Sequence, residues 1–229
     1  MKSQNIRIVQ TIALAAGIAA GASTASAAGL LGQRYVSATA DYVHWDDDTG
    51  LENAWGLSAA YNQPLSKTFD LSLGLSHLKS DLEFFGGDIS ASAIDFAGTW
   101  FTNAANGKLY VRGGIGWARV DVDLSIVLDE STVGVPPVAA QVPGGDGSAN
   151  DDFTFYGLET GLELAVGDKA TITPFVAYSH PFKSEDGDGA WDFGVKSDYD
   201  ITKSTSVLVS AAIDDDSNVQ VSAGFVFRF

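Results

Sequence analysis

Apolar and polar residues alternate with a period of two along most of the chain, from about residue 33 onward. The clearest stretch is VSAGFVFRF, in which Phe225, Phe227 and Phe229 share one parity. This period is typical of β-strands, because successive side chains point to opposite faces of a sheet. The alternation predicts ten strands, at 33–45, 54–63, 68–79, 89–102, 108–122, 152–165, 170–180, 190–201, 204–213 and 217–229.

The connections between these segments are of two alternating kinds. One set is short and reads QPLSK, NAANG, VGDK and TK, whereas the other is acidic and often longer, with the stretch 123–151 as its longest member. Short turns at one end and longer loops at the other are typical of transmembrane β-barrels. We therefore predict an all-β fold, a closed antiparallel transmembrane β-barrel of ten strands, with eight strands as the alternative.

The two parities of the predicted strands differ in polarity. One parity is apolar and contains no charged residue, as in Phe69, Leu71, Leu73 and Leu75, whereas the other is small and polar. A soluble barrel would turn the apolar parity inward, and the large aromatic side chains would then crowd a narrow interior. The reverse arrangement requires lipid outside, where a charge costs about 2–4 kcal/mol at the bilayer midplane.

Closure of the barrel and the ends of its strands agree with a lipid environment. The last strand must pair with the first, because an unpaired backbone group in hydrocarbon costs several kcal/mol. Aromatic residues fall at both ends of the apolar stripes, as expected for interfacial girdles. They are Tyr61, Phe69, Trp100, Tyr199 and Phe229 at the short-turn end, and Tyr42, Trp55, Trp117, Tyr156, Tyr178 and Trp191 at the other. Pro174 fits a closed barrel poorly, and we expect it near a strand start or at a bulge.

The first residues indicate export. Lys2 and Arg7 precede an apolar stretch at 12–22, and Ala-Ser-Ala at 25–27 fits a signal-peptide cleavage site. We expect residues 1–27 to be a cleaved signal peptide and residues 28–229 to form the barrel domain. After residue 28 no stretch approaches the roughly 20 apolar residues of a membrane helix. The formal charge of -16 argues against a nucleic-acid partner, and the chain has no cysteine.

The terminal FVFRF resembles the C-terminal signal of the small outer-membrane β-barrel proteins, the porin-like and opacity-protein-like group. This resemblance implies that the barrel assembly machinery binds Phe225, Phe227 and Phe229. It also implies a monomer in contact with outer-membrane lipid, located in the cell outer membrane with both termini in the periplasm.

The polar parity carries charged residues that would face the lumen. The acids are Asp41, Asp70, Asp95, Glu159, Glu163 and Asp192, and the bases are Arg112, Lys196 and Arg228. A buried charge must be paired. We therefore expect a structural ion-pair network in the lumen, formed by Arg112, Glu159, Glu163, Lys196 and Arg228.

No catalytic or cofactor site emerges from the sequence. By parity His44, His77 and His180 point outward, away from a shared cleft, so we predict that the protein is not an enzyme. The acidic runs 46–48, 185–188 and 214–216 are candidates for divalent cations, or simply a hydrated rim. Because none matches the D-x-[DN]-x-[DN]-G spacing, no metal is assigned, and no cofactor is expected.

Two functions remain open at this stage. The first is a structural or surface role that acts through the acidic outer loops. The alternative is a narrow, weakly cation-selective, porin-like channel for small solutes, because the predicted lumen is lined by small residues and carries more acids than bases. The apolar, proline-containing stretch within 125–150 is a further candidate surface element.

Overall fold

Ten antiparallel strands form a closed barrel. The computed structural model describes residues 30–46, 51–82, 87–104, 107–124, 147–182 and 189–229. The strands are β1 Tyr35–His44, β2 Leu51–Pro64, β3 Phe69–Leu82, β4 Gly87–Ala104, β5 Gly107–Leu124, β6 Gly147–Val166, β7 Ala170–Pro181, β8 Ala190–Asp200, β9 Thr205–Asp214 and β10 Val219–Arg228. Each strand pairs with its sequence neighbours, and β10 pairs with β1. The prediction of ten strands is confirmed, whereas the expected signal peptide lies outside the described residues.

The barrel closes along the seam between β1 and β10. The pairing runs without interruption from Tyr35 opposite Arg228 to His44 opposite Val219. Just beyond β10, the Phe229 N–H donates a hydrogen bond to the Arg34 carbonyl at 3.3 Å. The seam therefore uses the whole length of both strands, which leaves no open edge within it.

Side chains alternate between the interior and the outer face, as the parity predicted. In β1 buried residues alternate with more exposed ones along the whole strand. On β10, Phe225 and Phe227 are each 50% exposed on the outer face. Rings on neighbouring strands meet there, with the Tyr178 and Trp191 ring centroids 4.9 Å apart. No helix among the described residues is long and apolar enough to cross a membrane.

The barrel has two unlike ends. We call one the turn end, where the connections are 65–68, 105–106, 167–169 and 201–204 and where β1 begins and β10 ends. The opposite, or loop, end has the connections 45–50, 83–86, 125–146, 182–189 and 215–218. Strands β4 and β5 have 18 residues each and β6 has 20, against 10 in β1.

Strands β4 and β5 exceed their predicted bounds by no more than two residues at either end, whereas β6 extends five residues further at the loop end. Strand β6 begins at Gly147 rather than 152, so the last part of the stretch 125–150 is strand. Ile89 and Val120 are buried on the inner side of this extension, and Phe153 packs against the same cluster. Burial of these apolar side chains stabilises pairing beyond the length that a membrane requires.

Pro174 lies inside β7 without a bulge, contrary to expectation. It pairs in register with Val195 of β8. On the other side, the pairing with β6 passes from Phe175 to Ile172 and omits the proline, with the same register on both sides of the gap. Proline has no N–H to donate. The strand thus tolerates it through a local gap in one ladder.

Candidate functional site in the barrel lumen

The turn end of the lumen is filled by apolar side chains. Residues 30–33 form a turn across the mouth, closed by a hydrogen bond from the Gln33 N–H to the Leu30 carbonyl at 2.9 Å. Two buried clusters surround this turn, one of Leu30, Tyr35, Leu208 and Val226 and one of Leu31, Phe101 and Tyr110. The turn thus contacts opposite walls of the barrel and covers the mouth.

Polar contacts hold this turn in place. The Gly32 N–H donates to Asp70 Oδ2 at 2.8 Å, and Asn62 Nδ2 donates to the same oxygen at 3.2 Å. Lys108 Nζ donates to the Leu31 carbonyl at 2.7 Å. Gly32 has a φ of +82°, a left-handed conformation that glycine adopts without steric cost. Asp70, expected only to face the lumen, therefore anchors the cover of the turn end.

The loop end of the lumen is also apolar. One buried cluster there contains Val43, Trp45, Ala54, Leu78, Ile89, Ala91 and Val120, and a second contains Ala93, Ala118 and Phe155. The sequence predicted a lumen lined mainly by small polar residues. The inner parity instead includes large aromatic and aliphatic side chains at both ends, beside polar contacts such as those of Asp70 and Lys108, and polar side chains predominate in the middle.

A buried charge cluster occupies that middle section, centred on Glu159. Lys196 Nζ donates to Glu159 Oε1 at 2.8 Å, and the Tyr110 hydroxyl donates to the same oxygen at 2.5 Å. Lys196 is 0% exposed, and its Nζ lies 3.9 Å from the centre of the Phe175 ring. A cation over an aromatic face is attracted by the ring quadrupole. Glu159 thus neutralises the fully buried ammonium group, and the Phe175 ring stabilises it further.

Two further ion pairs flank this cluster. Arg112 lies opposite Glu159 in the β5–β6 register. Its guanidinium extends toward β4 on the other side, where Nη2 lies 3.1 Å from Asp95 Oδ2. Toward the turn end, Lys108 Nζ lies 3.7 Å from Glu163 Oε1.

Arg228 completes the set of predicted lumen charges. Its Nη2 lies 2.9 Å from Asp198 Oδ2, and its Nη1 lies 2.7 Å from Asp200 Oδ1. All five predicted residues are thus placed on the inner side of the barrel. The distances between their charged groups divide them among separate pairs, and a single energetic network stays a prediction.

Sequence reasoning missed three members of this interior. Lys108, Tyr110 and Asp198 contribute a cation, a hydroxyl donor and a carboxylate. Lys108 and Tyr110 have the same parity as Arg112 on β5, and Asp198 has the same parity as Lys196 on β8. Parity was therefore the signal that could have found them.

Two aromatic rings inside the lumen lie against glycines of the next strand. A Cβ added at Gly116 would lie 2.2 Å from Phe155 Cζ, and one added at Gly194 would lie 2.5 Å from Phe175 Cζ. Such distances leave no room for a methyl group. These glycines are therefore required by close packing of the rings.

We expect Gly116→Ala to destabilise the barrel by about 1–3 kcal/mol, because the added methyl group must displace the Phe155 ring. Urea unfolding of the protein in detergent micelles, followed by tryptophan fluorescence, would measure this change. Gly157→Ala is the matched control, since the nearest atom to a Cβ there is the Tyr178 carbonyl oxygen at 3.7 Å. Equal stability of the two variants would contradict the prediction.

The three histidines lie on three different strands at the outer face. His44 Nδ1 is 2.7 Å from Asn53 Oδ1, and His77 Nδ1 is 2.9 Å from Ser92 Oγ. His180 stacks on Tyr156, with ring centroids 5.5 Å apart. The structure does not bring the three imidazoles together.

The acidic runs give no metal centre within the described residues. There, no group of three or more His, Asp or Glu side chains is arranged to hold a metal ion. Asp214 accepts hydrogen bonds from the N–H groups of Asn218 at 2.8 Å and Asp216 at 3.0 Å, which shape the β9–β10 turn. Residues 47, 48 and 185–188 of the other two runs lie outside the described residues.

The closed barrel, its apolar outer face and its polar, filled interior define an outer-membrane β-barrel. The chain belongs to the autotransporter beta-domain family, whose sequence model matches residues 33–187. No curated protein matches the sequence.

Two solved structures show the same fold at low sequence identity. The translocator domain of the autotransporter NalP from Neisseria meningitidis is 13% identical with a TM-score of 0.59, and the match covers 96% of this chain and 98% of that one. The beta domain of the Bordetella autotransporter BrkA is 11% identical with a TM-score of 0.50, and covers 87% of this chain and 100% of that one. The outer-membrane barrel expected from the sequence is thus confirmed, whereas the porin-like or opacity-like resemblance stays a prediction.

Proposed function

We propose that this protein is a non-conducting outer-membrane barrel with a structural or surface role, which it performs through its acidic loop end. The filled lumen is the observation that carries this proposal. Apolar clusters occupy both ends of the interior, and the ion pairs of Glu159 and Arg112 occupy its middle. A solute would have to displace buried, paired charges to pass, which is unfavourable.

The charge distribution supports the surface role and an orientation. Six cations of the described residues lie at the turn end, namely Arg34, Lys67, Lys108, Lys169, Lys203 and Arg228, with the acids Asp70, Glu163, Asp168, Asp198 and Asp200. Acids dominate the loop end, where Lys79 and Arg119 are themselves paired with Asp88 at 2.8 Å and Asp121 at 3.0 Å. Longer loops of outer-membrane barrels face the cell exterior. We infer that the loop end is extracellular and that both termini are periplasmic.

The filled lumen also bears on the translocator role named for the relatives. A polypeptide passing through this barrel would need the space now taken by the Leu30–Gln33 turn and by the Lys196–Glu159 pair. A ten-stranded barrel lies close to the size at which side chains fill the interior. The surface role therefore needs no rearrangement of the barrel, whereas translocation does.

Planar-bilayer recording of the purified protein under a salt gradient tests this function. We expect no discrete conductance, because both ends of the lumen are covered, and a known porin in the same bilayers shows that the assay detects channels. Discrete events with a reversal potential favouring cations would contradict the proposal. They would support the alternative, a narrow, weakly cation-selective channel, and Glu159→Gln with Glu163→Gln should then reduce the cation preference.

We also propose that the protein is not an enzyme. The three histidines lie apart on the outer face, so no two of them can act as acid and base in one cleft. We expect the variant with His44, His77 and His180 all replaced by alanine to fold normally. It should also complement a deletion strain as well as the wild-type protein does. Loss of a hydrolytic activity in that variant, with folding retained, would contradict this proposal.

A further inference from the structure

Asp192 differs from the other carboxylates that face the lumen. It is 4% exposed, and its Oδ2 has no hydrogen-bond partner among the described residues. The other inward-facing carboxylates each accept at least one hydrogen bond or ion pair there. The buried or half-buried ones are Asp41, Asp70, Asp95, Glu159, Glu163, Asp198, Asp200 and Asp214.

The strand neighbours of Asp192 do not compensate its charge. It lies opposite Ala177 of β7 and opposite Asp214 of β9. Alanine has no side-chain donor, and like charges directly opposite each other on a sheet are destabilising. Asp214 already accepts hydrogen bonds from Asn218 and from the backbone of its own turn. Its carboxylate therefore adds to the negative potential at Asp192.

A small cavity lies beside this carboxylate. Its volume is about 60 Å³, and among mainly apolar residues its wall includes Asp95, Arg112, Glu159, Ser179 and Asp192. Ser179 is buried, and its Oγ also lacks a hydrogen-bond partner among the described residues. Asp192 and Ser179 both line the cavity, and a cavity of this size has room for a small ion with water.

The charges around the cavity sum to minus one. Asp95 is neutralised by Arg112, and Glu159 by Lys196, at 3.1 Å and 2.8 Å. This leaves the Asp192 carboxylate as the uncompensated charge at the cavity. An unpaired charge in a low-dielectric interior is strongly unfavourable, and one positive charge would balance it.

We propose that this cavity binds a monovalent metal cation such as Na⁺ or K⁺. The Asp192 carboxylate and the Ser179 hydroxyl are its protein ligands, and water completes the shell. A divalent ion fits poorly, because it would leave one positive charge in excess over the single uncompensated carboxylate. The guanidinium of Arg112 and the ammonium of Lys196 would also repel a second positive charge. The bound ion would neutralise the lumen and so stabilise the filled barrel.

Thermal unfolding in three salts tests this site. The folded protein in zwitterionic detergent is heated in NaCl, KCl or N-methyl-D-glucamine chloride at equal ionic strength, so that general screening is the same. We expect the Tm in NaCl or KCl to exceed that in the organic salt by about 3 °C or more, with a saturable dependence on concentration. Asp192→Asn should abolish this difference, and Ser179→Ala should reduce it.

A control variant and a direct measurement distinguish cation binding at this site from cation binding at the acidic loop end. Asp41→Asn also removes a buried carboxylate, but one that accepts a hydrogen bond from Ser58 at 2.5 Å, and it should keep the dependence on the cation. The ²³Na line width with the wild-type barrel should exceed that with Asp192→Asn. Equal Tm values in the three salts, stabilisation by Ca²⁺ alone, or a dependence that persists in Asp192→Asn would each overturn the proposal. The comparison of salts uses the wild-type protein and needs no variant.

Discussion

Replacing Lys196 by methionine is expected to destabilise the folded barrel by about 3–5 kcal/mol, one of the largest effects of any single substitution in the chain. The variant leaves Glu159 buried without its ammonium partner, while the Tyr110 hydroxyl still donates a hydrogen bond to it. Methionine retains much of the side-chain volume, so the loss reports the unpaired carboxylate rather than a cavity. Urea unfolding and refolding in detergent micelles would measure the free energy.

A double variant distinguishes lost pairing from lost packing. Combining Lys196→Met with Glu159→Gln removes both charges and should recover most of the stability, because an apolar or neutral replacement of a buried pair is often tolerated. Lys203→Met is the control, since this lysine is exposed at the turn end, and it should change stability by about 0.5 kcal/mol or less. Wild-type stability of Lys196→Met would show that Glu159 does not depend on this partner.

Deleting Phe229 is expected to reduce folded protein in the outer membrane several-fold and to increase its periplasmic degradation. This expectation rests on the resemblance of FVFRF to the C-terminal assembly signal and on the position of the residue. Phe229 is 70% exposed on the outer face, in line with Phe225 and Phe227. A side chain with so little packing is available to a binding partner. Heat-modifiable migration of membrane fractions on gels would measure the folded yield.

Refolding of the same variant from urea into detergent separates recognition from stability. Without the assembly machinery, loss of one exposed ring should leave the folding yield nearly unchanged. Phe182→Ala, which removes an exposed ring at the loop end, is the control in cells and should assemble normally. Unchanged insertion of the Phe229 deletion in cells would remove the assembly role proposed for the last strand.

The strands could be predicted because their signal is local. In β1, β8 and β9 the predicted and observed bounds agree within two residues, since the alternation there begins and ends at turns. The loop-end extension of β6 was missed, because its residues 147–151 are mostly small and polar and were interpreted as a loop. Pairing with β5, and packing of Phe153 in the cluster around Val120, hold it as a strand.

The sequence by itself predicted the barrel, its ten strands, their outward and inward faces, and most of the charged residues that face the lumen. A period of two in a chain free of helical pattern is sufficient for these features, because each depends on neighbours along the strand. The tertiary structure alone decided which side chains meet inside. Barrel closure and strand register set the height of each residue around the wall. They therefore decide the pairing of Arg112 with Asp95 and of Lys196 with Glu159, the position of the Leu30–Gln33 turn across the mouth, and the lack of a hydrogen-bond partner for Asp192 Oδ2 among the described residues.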